Sequence, residues 1–352
     1  MSTKSTNIQW LDTLRALATL GVIIIHVSSP LVNMAYGKNM PYWWVGNVVD
    51  SAVRFAVPVF LMLSGATLLG KEYKLGEFYK RRFARVLVPF LFWMVVYWVY
   101  RWAMLKTWQQ PHEPFAILTW AVKLFLKEGI SKHFWYVYMI VFIYLFVPFL
   151  GKGLRKLNLS ALSNILLLWV VLTFAFKSVP LNMYGWSEDY GSKFLGYFLY
   201  IGYLVLGYYL AQIPVSSQKI RFPVVVIYLL TVIVSAVTTY FFSQEARKID
   251  LSMYSYLSIN TIIQSIAFFM SIKGITVKNR YLSFVQSTIS SYSYGIYLVH
   301  IMIIGILFQN GIYWNLTNPL FSLPLLAIGV LVCSFMIIFV LRKIPGGKYI
   351  SG

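Results

Sequence analysis

Ten stretches of this chain are apolar for long enough to cross a membrane, and no other feature limits its fold so strongly. A spanning helix needs about 20 largely apolar residues, because it must pair every backbone group within itself across a core of about 30 Å. Such stretches occupy 10–32, 45–69, 86–104, 134–150, 161–176, 194–213, 222–242, 254–272, 288–308 and 320–341. With 59% hydrophobic and only 11% charged residues among 352, nothing is left over for a soluble domain. The expected fold is an all-α integral membrane bundle of about ten transmembrane helices, forming one domain over 1–352. The first apolar run lacks a small-residue cleavage pattern and carries Arg15 and His26, so it reads as a retained span and not a signal peptide. Residues 113–128 differ: Phe115, Leu118, Val122 and Phe125 recur at helical spacing in a segment too short to span. One additional interfacial or re-entrant helix is expected there.

The formal charge of +20 takes its meaning from where it falls. If the spans alternate in direction, most of the Lys and Arg gather in the loops on the N-terminal side, above all at Lys71, Lys74, Lys80, Arg81, Arg82 and Arg85. The acidic residues Glu113, Glu128, Glu188, Asp189, Glu245 and Asp250 all fall on the other side. By the positive-inside bias both termini are cytoplasmic, and the charge serves topology and contact with membrane lipids, not nucleic acid. Cys333 is the only cysteine, which excludes an internal disulfide and says nothing about redox compartment. No metal-ligand spacing, glycine-rich phosphate loop or nucleophile elbow occurs.

Ionisable groups inside spans are costly and are therefore the first candidates for function. Arg15 and His26 are eleven residues apart on the first span, which at about 100° per residue is three turns plus about 20°, with a rise of about 16 Å. They share one face at different depths, so Arg15 cannot touch a group held at the imidazole. A guanidinium near one surface and an imidazole at depth fit a charged ligand held at the surface and a proton transfer at depth. The plainer alternative is an arginine that snorkels to lipid phosphate and a histidine that bonds a neighbouring helix. Asp12, one turn from Arg15, is placed to orient it. Asp50 and Arg54 share a face of the second span and can neutralise each other. His300 enters the ninth span from the N-terminal side and should reach a depth comparable to His26, as an acid and base partner, a cavity wall or a structural histidine. His133, beside Trp135 and Tyr136 at the outer mouth of the fourth span, reads as an aromatic-belt residue. Arg81, Arg82 and Arg85 lie in the loop before the third span and either bind phosphate through their planar forks or anchor the chain to anionic lipid.

Several ordered motifs resemble the membrane acyltransferase-3 family of O-acyltransferases. They are WLDTLRALA followed by His26, which is similar to the family's R-x10-H pattern, then VPVFLMLSG with Ser64, RRFARVLVP with Arg82 and Arg85, HFWYVYMIVFIYLFVP with His133 and Trp135, and SYSYGIYLVH with Tyr297 and His300. The segment around Arg54 and the bare ten-span plan look most similar to the subgroup containing the O-acetyltransferase of enterobacterial common antigen. The resemblance implies His26 as the catalytic residue, Arg15 as its partner, and Arg82 and Arg85 as the contact for acyl-CoA. It further implies a bacterial inner-membrane enzyme moving an acetyl or other short acyl group from acetyl-CoA to a hydroxyl of a glycan or lipid-linked saccharide. Arg81 and His300 are added to this site, with Asp12, Asp50, Arg54, Ser64, His133, Trp135 and Tyr297 in support. Many members carry an extracytoplasmic esterase-like domain; with little chain after the last span, transfer is expected to finish within the bundle. The sequence does not separate His26 as general base from His26 as acyl carrier. The rival from another class is a transporter of a glycan or small metabolite with no covalent chemistry.

Overall fold

The computed structural model describes residues 3–101, 119, 130–178, 190–214 and 218–352. The expected helix at 113–128 lies outside the described residues, apart from Thr119. The described chain is helical: α1 (Thr3–Ala35), α2 (Met40–Ala52), α3 (Ala56–Leu68), α4 (Leu75–Tyr100), α5 (Trp135–Leu154), α6 (Leu159–Ser178), α7 (Tyr190–Gln212), α8 (Gln218–Glu245), α9 (Ile259–Ile272), α10 (Arg280–Gln309), α11 (Pro319–Lys343) and α12 (Gly347–Ile350). Among the described residues nine segments are long and apolar enough to cross a membrane, and the chain is a multi-pass membrane protein. The expected span at 194–213 coincides with α7, 23 residues long.

The first helix is the axis of the bundle. It packs against α2, α3, α9, α10 and α11, and Leu14, Ala18 and Leu31 on it are fully buried. The most closely packed helix pair is α3 and α7, where two glycines bring the backbones together. A Cβ on Gly65 would collide with the Leu204 backbone and one on Gly207 with the Met62 backbone. Close backbone approach through small residues is the usual means of helix association in lipid, where apolar burial alone drives little. Outward faces of α6, α8 and α11 keep large apolar side chains exposed, such as Leu167, Leu229 and Phe321, as a lipid-facing surface requires. At the end of α9, Lys273 reaches across to donate to the carbonyls of Leu210 (2.6 Å), Ala211 (2.9 Å) and Ile213, satisfying the last turn of α7.

Three elements depart from the sequence reading. The third span is the continuation of a helix that begins at Leu75, so Arg81, Arg82 and Arg85 stand on α4 and not in a loop. No proline intervenes between Leu75 and Pro89, and within that stretch Glu77 and Arg81 pair at i, i+4. The second span is two helices, interrupted at 53–55. Pro58 explains the break: it has no N–H to give the carbonyl four residues back, that of Arg54, and its ring crowds that carbonyl. The span at 254–272 is helical only from Ile259; before it come a 3-10 turn, Ser252–Tyr254, and a non-helical stretch to Ser258. Side chains supply that stretch with partners, since Tyr203 donates to the Tyr256 carbonyl (2.5 Å) and Asn260 to that of Met253 (3.0 Å).

Candidate functional site

One end of the bundle gathers arginines. Helix α1 brings Arg15, α4 brings Arg82 and Arg85, and α11 brings Arg342, and all four line a cavity of about 550 Å³ between α1, α3, α4, α5 and α10. Ser64, Tyr136, Tyr144 and Tyr297 complete its inner wall. Arg82 and Arg85 also line a second cavity of about 700 Å³ further out, together with Arg81, Lys74 and Tyr73. Burial pushes the Tyr73 phenol up, against the opposing pull of Arg82. The three arginines of α4 are therefore unlike one another. Arg82 and Arg85 stand where the two cavities meet, whereas Arg81 faces only the outer one and pairs with Glu77 at 3.3 Å.

The Arg15 guanidinium is positioned from α10. It donates to Ser290 Oγ at 2.9 Å and lies 3.4 Å from Asp12 Oδ1, while Ser290 Oγ donates to the same carboxylate oxygen at 2.6 Å. Asp12 thus orients Arg15 directly and through Ser290, and the fork faces the cavity and not His26. Arg342 is held by its cation–π contact with Tyr292, 3.9 Å from the ring centroid, and by donation to the Ser291 carbonyl at 3.0 Å. Beside it the C-terminal segment closes one side of the mouth, with Trp93 donating to the Ile350 carbonyl at 3.1 Å.

Behind the cavity lie three imidazoles. His26 and His300 have ring centroids 5.2 Å apart, and His300 and His133 are 5.3 Å apart. His300 is fully buried, and its Nδ1 lies 2.6 Å from the Tyr297 carbonyl. A carbonyl only accepts, so Nδ1 carries the proton in the neutral ring and Nε2 keeps its lone pair. The Nε2 atoms of His300 and His133 are both buried without a hydrogen-bond partner. His26 does not line the 550 Å³ cavity. Tyr297 separates the two: it lines the cavity, its ring lies 5.6 Å from Tyr136 and 5.7 Å from His300, and its hydroxyl donates to the His133 carbonyl.

His133 corrects the sequence reading. It is no belt residue at the mouth but 2% exposed, because the 3-10 turn Lys132–Phe134 and the start of α5 tuck its ring against Tyr97, Tyr297 and His300. Asp50 and Arg54 form the expected ion pair. Asp50 also accepts from Ser28 of α1 at 3.1 Å, and Arg54 lies over the Tyr254 ring at 4.1 Å and within electrostatic range of His26. Trp135 stacks on Tyr256 on this same side. Sequence reasoning missed Arg342, Ser290, Tyr136 and Tyr144. Of these only Ser290 carried a signal, as a polar residue at the start of the run that ends in His300.

A family model described as an acyltransferase domain, that of the acyltransferase-3 family, matches residues 8–340. No curated protein and no solved structure matches the chain. Nothing in these comparisons narrows the likeness to the subgroup of the enterobacterial common antigen enzyme.

Proposed function

Starting from the fact that the chain belongs to the acyltransferase-3 family and is a membrane acyltransferase, we propose that it moves a short acyl group, acetyl in the simplest case, from acyl-CoA to a glycan hydroxyl. The observation that carries this reading is the arginine-lined cavity whose inner wall is one aromatic ring away from His26 and His300. Arg82 and Arg85 bind the phosphates of the donor where the two cavities meet, since planar forks pair bidentately with phosphate oxygens. Arg15, fixed by Asp12 and Ser290, takes the part of the donor that trails toward the inner wall. The basic end faces the cytoplasm, where acyl-CoA is made, in a bacterial inner membrane.

His26 accepts the proton of the acceptor hydroxyl as its oxygen attacks the thioester carbonyl; the carbon–sulfur bond breaks and the thiol leaves with a proton. General base catalysis requires a neutral imidazole, and His26 has a second imidazole, His300, with its ring centroid 5.2 Å away. His300, with Nδ1 donating to a carbonyl, offers its Nε2 lone pair as the neighbouring proton acceptor.

Purified protein in detergent, given radiolabelled acetyl-CoA and candidate glycan acceptors, should release CoA in step with labelled product. His26→Ala should abolish turnover while leaving the protein monodisperse and as heat-stable as the wild type. A stable His26→Ala protein with wild-type turnover would overturn the mechanism, and wild-type protein that never cleaves the thioester would favour a transporter.

A further inference from the structure

Two interrupted spans meet at one place in this bundle, and it lies on the opposite side of His26 from the arginine cavity. The break at 53–55 presents Arg54, and the non-helical stretch before α9 presents Tyr254 and Tyr256 to it. Irregular backbone within a membrane protein persists only where it is covered by protein or lines a cavity, and paired interruptions commonly frame a binding site. His26, Arg54, Trp135, Tyr200 and Tyr256 all lie within the bundle, and each keeps part of its surface uncovered.

The chemistry of this place differs from that of the arginine cavity. Arg54 is neutralised by Asp50, which also accepts from Ser28, so the site presents fixed dipoles and hydrogen-bonding groups with no net charge. Trp135 and Tyr256 are stacked, 18° from parallel with centroids 5.8 Å apart, and Tyr200 lies 5.7 Å from Trp135. Flat π faces suit the C–H face of a sugar ring, and the guanidinium and phenol beside them suit its hydroxyls. Among the described residues a phosphate or carboxylate would find no unpaired cation here.

We propose that Arg54, Trp135 and Tyr256 form the acceptor subsite, and that it takes an uncharged pyranose with one hydroxyl turned toward His26. The inference rests on the acyltransfer reading and adds where the acceptor sits and what its chemical class is. Donor and acceptor then approach His26 from opposite sides, so either is able to bind without displacing the other.

The test uses the full-length protein in detergent with radiolabelled acetyl-CoA and three probes: methyl β-D-glucopyranoside, methyl β-D-glucuronide and glycerol. The wild type should acetylate the glucoside well ahead of the glucuronide and glycerol. Trp135→Ala should raise the KM for the glucoside by about tenfold, the scale of one lost aromatic contact, and leave the KM for acetyl-CoA unchanged. Trp135→Phe should recover most of that loss. Tyr256→Phe keeps the platform and removes the hydroxyl beside Arg54, so it should raise the glucoside KM by a smaller factor. An unchanged donor KM shows that the variants are folded. The inference is overturned by an unchanged glucoside KM in Trp135→Ala, by a parallel rise in the donor KM, or by equal use of glycerol or the glucuronide. If the wild type consumes no acetyl-CoA with any probe, the acyltransfer reading fails and takes this inference with it.

Discussion

The two sides of His26 handle arginine in opposite ways. On the basic side, Arg82 and Arg85 stand at the junction of two cavities, and among the described residues no carboxylate lies within ion-pair distance of either. On the far side, Arg54 is locked to Asp50 and covered by Tyr254. An unpaired guanidinium that opens onto water tolerates its charge and is available to an anion. One enclosed by helices must be neutralised before it can be buried at all, and afterwards offers geometry more than charge. The difference teaches that arginine count alone says little about a membrane site; what matters is which arginines have been matched.

This contrast is broken first at Asp50. Asp50→Asn leaves the Arg54 charge enclosed without its partner, and removing one member of a buried pair typically costs about 3–5 kcal/mol. The expected outcome is a large fall in the thermal unfolding midpoint in detergent, much of it recovered in Asp50→Asn with Arg54→Gln, where no charge remains. A single variant as stable as the wild type would mean that the surroundings of Arg54 stabilise its charge without Asp50, and the two sides would not differ as argued.

The basic side should answer in affinity and not in stability. Arg82→Ala and Arg85→Ala each remove a charge-assisted hydrogen-bonding group, worth roughly 1.5–3 kcal/mol, so each should weaken acyl-CoA binding about tenfold or more. Unfolding midpoints should hardly move, because neither side chain has a carboxylate to strand. Calorimetric titration with acetyl-CoA at low salt measures this directly. Unchanged affinity in the double variant would return these residues to the role of lipid anchors.

Much of this contrast could be read before any fold was in hand, because helical periodicity is local. Arg15 and His26 on one face, Asp50 beside Arg54, and His300 at the depth of His26 all follow from counting residues along a helix. The break at Arg54 was also legible in principle, since Pro58 stands four residues on, but a continuous apolar run concealed it. His133 went wrong because depth along a helix does not say which way a ring turns at its first residue; the turn at Lys132–Phe134 decides that. Arg342 could not be found at all, and Ser290 only as a polar residue at the start of the run that ends in His300. They reach the site across separations of hundreds of residues, through helix packing that no periodicity encodes.

The smallest effect should come from Arg81, which stands in the same basic run as Arg82 and Arg85. All three stand on α4 within little more than one turn, and Arg81, on nearly the same face as Arg85 but about 6 Å further out along the axis, does not reach the inner cavity. Its side chain is 79% exposed and its partner Glu77 58% exposed. Exposed pairs at i, i+4 contribute only a few tenths of a kcal/mol and are screened by salt. Arg81→Ala should therefore change the midpoint by less than about 1 °C, a shift on the order of a few tenths of a kcal/mol in a chain this large. It should also change acetyl-CoA affinity by less than about twofold, with any residual effect vanishing as salt is raised. A tenfold loss in Arg81→Ala that survives high salt would show that the donor is held in the outer cavity alone. The boundary between matched and unmatched arginines would then have to be drawn outside Arg82.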